Sequence, residues 1–291
     1  SEGRVDLHVG NPGRNRKIYP LKGGQSASIS AGGGILKTTG GAIAGEPDAV
    51  GLLAHWSFNS NHGQLDSGDL VEDTSPNALH GQILHLPGTE KNEIRAVPGV
   101  DLSALDLSER GAVDLSEHVD ALGALSSFTI SAWMRHTKKG MIFSITNESD
   151  RQRIRFGRSA GTLFYGWQNR QQWDAVRAVP DESWHPDQWH HVAVTVKGRN
   201  VTLYHDGRAL IGPCSTGVLL GTPVQRPIDL AEKTCASIGQ ADRLTPARDT
   251  CWTIDAQIDD VQVYDRAIDE ESIRYLHSHP GKSLPANSPS P

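Results

Sequence analysis

Apolar and polar residues alternate with a period of two through many short stretches of this chain. In "DQWHHVAVTVKGRNVTLYHDG", residues 187 to 207, one face carries His190, Val192, Val194 and Val196, and the other Trp189, His191, Ala193 and Thr195. That spacing belongs to a strand. "KGRN" supplies a reversal, Val201, Leu203 and His205 then alternate with Thr202 and Tyr204, and Asp206 with Gly207 makes a second tight turn. His190 and His191 therefore face opposite ways and cannot share an ion. The pattern treats them, with His205, as strand residues with satisfied ring nitrogens.

Further strands are expected at residues 52–58, 79–84, 128–136, 140–146, 153–159, 161–167, 235–240 and 256–265. The one helix expected is "DEESIRYLH", with Asp269 as N-cap, acids in its first turn and Ile273 and Leu276 on its inner side. Residues 1–38 form short strands with too little apolar material for their own core. Residues 39–50 continue a Gly-rich linker, residues 51–279 form the main domain, and the Pro/Ser-rich residues 280–291 are expected to be disordered. The fold class that follows is all-β, a two-sheet antiparallel jelly-roll sandwich with a short C-terminal helix. "VDLSALDLSERGAVDLSEHVDAL", with its D-L-S repeats, reads as a surface insertion.

The chain has 291 residues with 34 acidic and 28 basic side chains, so its formal charge of −6 provides no footprint for a nucleic-acid backbone. No apolar run is long enough to span a membrane. The chain opens with neither Met nor a leader, which leads us to expect an export signal or anchor upstream. Cys214, Cys235 and Cys251 lack the spacing of a zinc site. They read either as a Cys214 to Cys235 disulfide with one thiol left over, or as three buried thiols.

Four stretches together resemble the LamG-like jelly rolls of the concanavalin A-like lectin/glucanase group: "GLLAHWSF" with "VEDTSPNALHG", "SSFTISAWMRH", "DQWHHVAVTVKGRNVTLYHDGRAL" and "AQIDDVQVYDRAIDEESIRYL". The resemblance implies two sheets of six or seven strands, with the domain's first and last strands adjacent. It also implies a structural calcium ion where those strands meet. Asp73 and Asp259 or Asp260 are its candidate ligands, since calcium prefers several hard oxygens, and the histidines are not. "GRVDLHVG" and "YPLKGGQSASIS" look like the closing strands of a FecR-like domain, a sensor module of bacterial envelopes.

A glycosidase requires two carboxylates facing one cleft. Asp259 and Asp260 are adjacent and diverge, Glu270 and Glu271 open the helix, and no nucleophile elbow, phosphate loop or zinc-protease motif is present. No catalytic residue is expected. Trp167, Arg170, Trp173 and Trp184, among amide and acidic neighbours, are the candidate ligand-binding residues, because flat rings pack on sugar C–H faces while polar groups bond hydroxyls. The function expected is a non-catalytic, lectin-like module of an exported bacterial envelope protein, periplasmic, cell-surface or extracellular, with a glycan or envelope protein as partner. The alternatives are a structural or protein-binding spacer and a glycan-active enzyme.

Overall fold

The computed structural model describes residues 5–9, 17–21, 25–29, 35–40, 51–85, 94–108, 111–123, 125–135, 139–147, 152–159, 161–169, 172–180, 184–198, 200–210, 216–218, 234–240 and 253–285. The chain divides into two compact units, Ser1–Pro47 and Asp48–Pro291. The first holds two antiparallel pairs, Val5–Val9 with Lys17–Leu21 and Gln25–Ile29 with Ile35–Gly40. The stretch expected as linker thus begins inside a paired strand, Ile35–Gly40.

In the second unit two sheets face each other. The main path of the ten-stranded sheet runs Arg208–Ala209, Asn200–His205, His190–Lys197, Ser127–Arg135, Gln257–Tyr264, Ser103–Asp106, Ile94–Pro98, Gln64–Leu65. Leu52–Trp56 also pairs with Gln257–Tyr264, so the first and last strands of the domain are adjacent. The eight-stranded sheet runs Gln172–Ala178, Thr162–Asn169, Gln152–Ser159, Gly140–Asn147, Thr234–Ile238, Gly111–Asp114, Gly81–His85, Leu70–Val71. Short edge strands raise both sheets above the six or seven expected.

Alternation sets the core. Trp56, Phe58, Ile130, Ala132, Val192, Val194, Val261 and Val263 all lie in one buried cluster with Ile145, Ile154, Phe156 and Tyr165 from the opposing sheet. At roughly 1.5–3 kcal/mol per fully buried large aliphatic or aromatic side chain, this cluster dominates the stability of the sandwich. The other face of the ten-stranded sheet carries a smaller cluster, in which Ala193, Tyr204 and Tyr264 lie under Ile268, Ile273, Leu276 and Leu284. The helix over it, Glu270–Ser278, starts where expected, with the Asp269 carboxylate accepting from the Ser272 N–H at 2.8 Å.

The structure departs from the sequence pattern at two stretches. The D-L-S stretch is no surface insertion: Ser103–Asp106 and Gly111–Asp114 enter different sheets, and Leu105, Leu107, Leu115 and Leu122 are buried. Residues 280–285, at the start of the expected tail, are packed and paired. Leu284 is buried, its N–H donates to the Tyr264 hydroxyl, and the Lys282 carbonyl accepts from Gln262 Nε2. An apolar side chain and paired backbone hold a segment whose composition alone reads as loose.

Candidate functional site

The hairpin of His190–Lys197 and Asn200–His205 builds one cluster on each face. Val192 pairs with His205 and Lys197 with Asn200, so a period of two puts His190 and His205 on the same, inner face. Asp206 and Gly207 then reverse the chain with φ of 47° and 76°, the left-handed pair of a two-residue hairpin turn. That turn aims the Asp206 carboxylate back at the strand. Its Oδ1 accepts from the His191 N–H at 2.9 Å, and its Oδ2 lies 3.0 Å from His190 Nδ1 and 3.3 Å from His205 Nε2. The two ring nitrogens are 3.1 Å apart.

Trp184 closes this group, stacking on His190 at 4.6 Å and His205 at 4.9 Å between ring centroids, with the Arg158 guanidinium on Trp184 at 4.1 Å. His190 and His205 are buried, whereas the Asp206 side chain keeps 31% exposure. Burial pushes the Asp206 carboxyl up, but the His190 hydrogen bond, the His205 charge and the His191 N–H outweigh it and hold it below the usual range.

On the opposite face His191 is fully buried, bonded through Nε2 to the Ser131 hydroxyl at 2.8 Å and flanked by Trp133 and His277. Burial, reinforced by His277, holds its pKa down to about 3. The expected division of the two histidines between faces is what the strand shows.

The acids expected to hold calcium have other work. Asp73 accepts from the N–H groups of His55, Ser75 and Leu79 and from the Ser75 hydroxyl. Asp260 sits at φ 48°, in a bulge of Gln257–Tyr264 near the point where one edge changes partner from Ser103–Asp106 to Leu52–Trp56. It accepts from Gln262 Nε2 and the Gly281 N–H, and its Oδ1 lies 2.6 Å from His55 Nε2. Burial pushes Asp260 up, but the His55 hydrogen bond and charge, with Gln262 and Gly281, hold it low. Asp259, fully buried, accepts from the N–H groups of Val100, Asp101 and Asp260; burial, helped by the Asp260 charge, drives it up to about 8. Among the described residues, only His190, His205 and Asp206 bring three metal-ligating atoms within 4.8 Å of one another. The expectation placed an ion's ligands at the acids, whereas this cluster gathers the histidines of the hairpin.

The ligand-binding residues also separate. Trp167 is 2% exposed and belongs to the core, so it cannot serve as a surface platform. Trp184 is half-buried in the histidine cluster. Trp173 lies on Gln172–Ala178 with its backbone opposite Gln168. Arg170 and Cys214 lie outside the described residues; Cys235 is buried on Thr234–Ile238.

A surface aromatic outside the expected binding set is Trp189. It is half-buried, with Arg135 against its ring at 5.1 Å. Arg135 donates through Nε and Nη2 to Gln257 Oε1, and Gln257 Nε2 donates to Asp106 Oδ2 at 3.4 Å. An indole, a guanidinium, an amide and a carboxylate, all partly exposed, thus run across the ends of four neighbouring strands. The signal was available: Trp189, Arg135, Gln257 and Asp106 all flank strand termini, and polar residues at strand ends meet when the strands are neighbours.

A two-sheet antiparallel sandwich with its first and last strands paired defines a concanavalin A-like jelly roll. The chain belongs to the concanavalin A-like lectin/glucanases superfamily, whose Laminin_G_3 family matches residues 107–274, more than half of its length. No curated protein matches the sequence. Among solved structures, domain 4 of AbnA, a GH43 extracellular arabinanase from Geobacillus stearothermophilus, solved with arabinotriose, matches with a TM-score of 0.53 at 18% identity. The match covers 79% of this chain and 100% of that one. The binding domain of Paraclostridial Mosquitocidal Protein 1 matches at 0.48 and 16%, over 76% of this chain and 52% of that one. Botulinum neurotoxin type C, whose cell entry depends on two ganglioside molecules, matches at 0.48 and 18%, over 75% and 51%. At these identities the likeness is one of fold.

Proposed function

We propose that the second unit is a non-catalytic glycan-binding module of an exported bacterial envelope protein. The observation that carries this reading is the row of Trp189, Arg135, Gln257 and Asp106. It offers one apolar ring with donors and acceptors spaced along it, the combination that a saccharide's C–H faces and hydroxyls demand. Its members already hold one another in place, which lowers the ordering cost of binding. A sandwich of this fold, domain 4 of AbnA, is solved with arabinotriose. Asp259 and Asp260 are buried and committed to backbone and side-chain donors, which disfavours a two-carboxylate hydrolase at that pair. In this reading the amino-terminal strand pairs are the closing part of a FecR-like domain that couples binding to signalling.

A glycan array with the full chain tests it. Selective binding lost in both Trp189→Ala and Gln257→Ala, with melting temperatures close to wild type, supports the module. Silence across glycans, with capture of an envelope protein, refutes it in favour of the spacer, and release of sugar fragments refutes it in favour of an enzyme.

A further inference from the structure

We propose that His190, His205 and Asp206 form a zinc(II) site, with His190 Nδ1, His205 Nε2 and Asp206 Oδ2 as ligands and a fourth position open to water. The proposal is independent of the glycan row. A tetrahedral zinc ion with bonds of about 2.0–2.1 Å to nitrogen and oxygen separates neighbouring ligand atoms by about 3.3 Å. The three atoms here are 3.0, 3.1 and 3.3 Å apart, a triangle within a few tenths of an ångström of that spacing.

Proton bookkeeping points the same way. Two imidazole nitrogens 3.1 Å apart, both beside one carboxylate oxygen, cannot both carry protons without placing two N–H groups head to head. One proton between them suffices, so at least one nitrogen keeps a lone pair, and a cation can take that proton's place. The surroundings supply what zinc ligands need. His190 Nε2 lies 3.0 Å from the His185 carbonyl, so in the tautomer with its proton on Nε2 it donates there and leaves Nδ1 a lone pair. The His185 N–H, 3.1 Å from the same atom, serves the other tautomer when no metal is bound. Asp206 Oδ1 is fixed by the His191 N–H, which leaves Oδ2 as the ligand oxygen. Trp184 lies across both imidazoles and limits their rotation.

Two imidazoles and one carboxylate suit zinc over calcium, whose sites are built from oxygens. The buried histidines and the partly exposed Asp206 make a site closed on its inner side and reachable from solvent past the turn. Three protein ligands with one open position are the composition of zinc centres that bind or activate a small ligand.

Stripped full-length protein is titrated with zinc(II) by calorimetry and with cobalt(II) by visible absorption. One equivalent should bind, with the d–d bands of tetrahedral cobalt and without a thiolate charge-transfer band that Cys ligands would give. Asp206→Asn keeps an acceptor for the His191 N–H and tolerates φ 47°, so it should fold and lose affinity by at least about 10- to 100-fold, a loss that outer-shell changes alone can cause. His205→Gln should do the same, while His62→Ala, at an exposed histidine, should bind as wild type. Melting of the metal-free variants shows which are folded, and Asp206→Asn decides if His205→Gln is not. Absence of one-to-one binding, a thiolate band, or undiminished affinity in a folded Asp206→Asn overturns the site.

Discussion

Asp73→Ala separates a carboxylate that organises a turn from one that holds calcium. Asp73 is 3% exposed, and its two oxygens accept four hydrogen bonds of 2.7–2.8 Å, three of them from backbone N–H groups on His55, Ser75 and Leu79. Truncation leaves those donors in a buried space. Each unsatisfied buried donor costs about 1–3 kcal/mol. A water entering the vacated space recovers part of that cost. The net expected loss is about 3–5 kcal/mol, the range reserved for broken buried networks. For a unit of this size that lowers the melting temperature by on the order of 10 °C. Asp73→Asn retains one accepting oxygen and should cost roughly half as much. Urea and thermal unfolding of metal-stripped protein measure both, with and without millimolar calcium. Under the hydrogen-bond account calcium leaves every midpoint in place. A loss below about 1 kcal/mol for Asp73→Ala refutes the network's importance. A calcium-dependent rise of wild-type stability, about 2.7 kcal/mol at a hundredfold excess over the dissociation constant, that vanishes in Asp73→Ala refutes the turn-organising account altogether.

Stability should also rise as pH falls from 8 and level off near 6.5. Asp259, raised to about 8, favours the protonated folded state, so stability rises as pH falls from 8 toward the unfolded carboxyl's range; His191, held to about 3, opposes this below its ordinary 6.5, where only the unfolded chain takes up the proton. Below pH 6.5 the two slopes, each at most about 1.4 kcal/mol per pH unit, offset one another, so urea midpoints should rise from pH 8 to 6.5 and then level off; in His191→Gln the rise should continue below 6.5, and an unchanged profile in that variant rejects the assignment. Trp56→Phe should cost about 2–3 kcal/mol by urea unfolding, since it opens a cavity beside a fully buried ring and leaves the Leu79 carbonyl without its 2.9 Å donor. Asp269→Ala should cost about 1 kcal/mol by removing the helix cap, with a loss of helical circular dichroism confined to one short segment.

Local rules carried the sequence reading wherever one strand explained itself, and failed where two strands had to be placed together. The division of His190 from His191 needs only the pleat, and the Asp206 turn needs only its Asp-Gly pair, so both were legible. His205 joining His190 needed one further step, carrying the face across the Lys197 and Asn200 pairing, and the same alternation already contained it. The D-L-S stretch misled because each of its two strands has only four residues and each joins a different sheet, so no single period shows that both are core. Trp167 was expected at a binding surface and Trp189 was not, although both stand at strand spacing. Alternation with Tyr165 already placed Trp167 on the inner face, whereas Trp189 immediately precedes its strand, beside Arg135 of the neighbouring one. Asp260 is the opposite case: a non-glycine residue at φ 48° has no local signal, because the bulge arises where one edge of its strand exchanges one partner for another. That bulge lets Asp260 meet His55 and Gly281 while Asp259 turns to Val100, which is why two adjacent acids reach donors on different segments. The same physics locates chemistry at the hairpin: where backbone donors fill one carboxylate oxygen and leave the other beside two imidazoles, a cation has a place to sit.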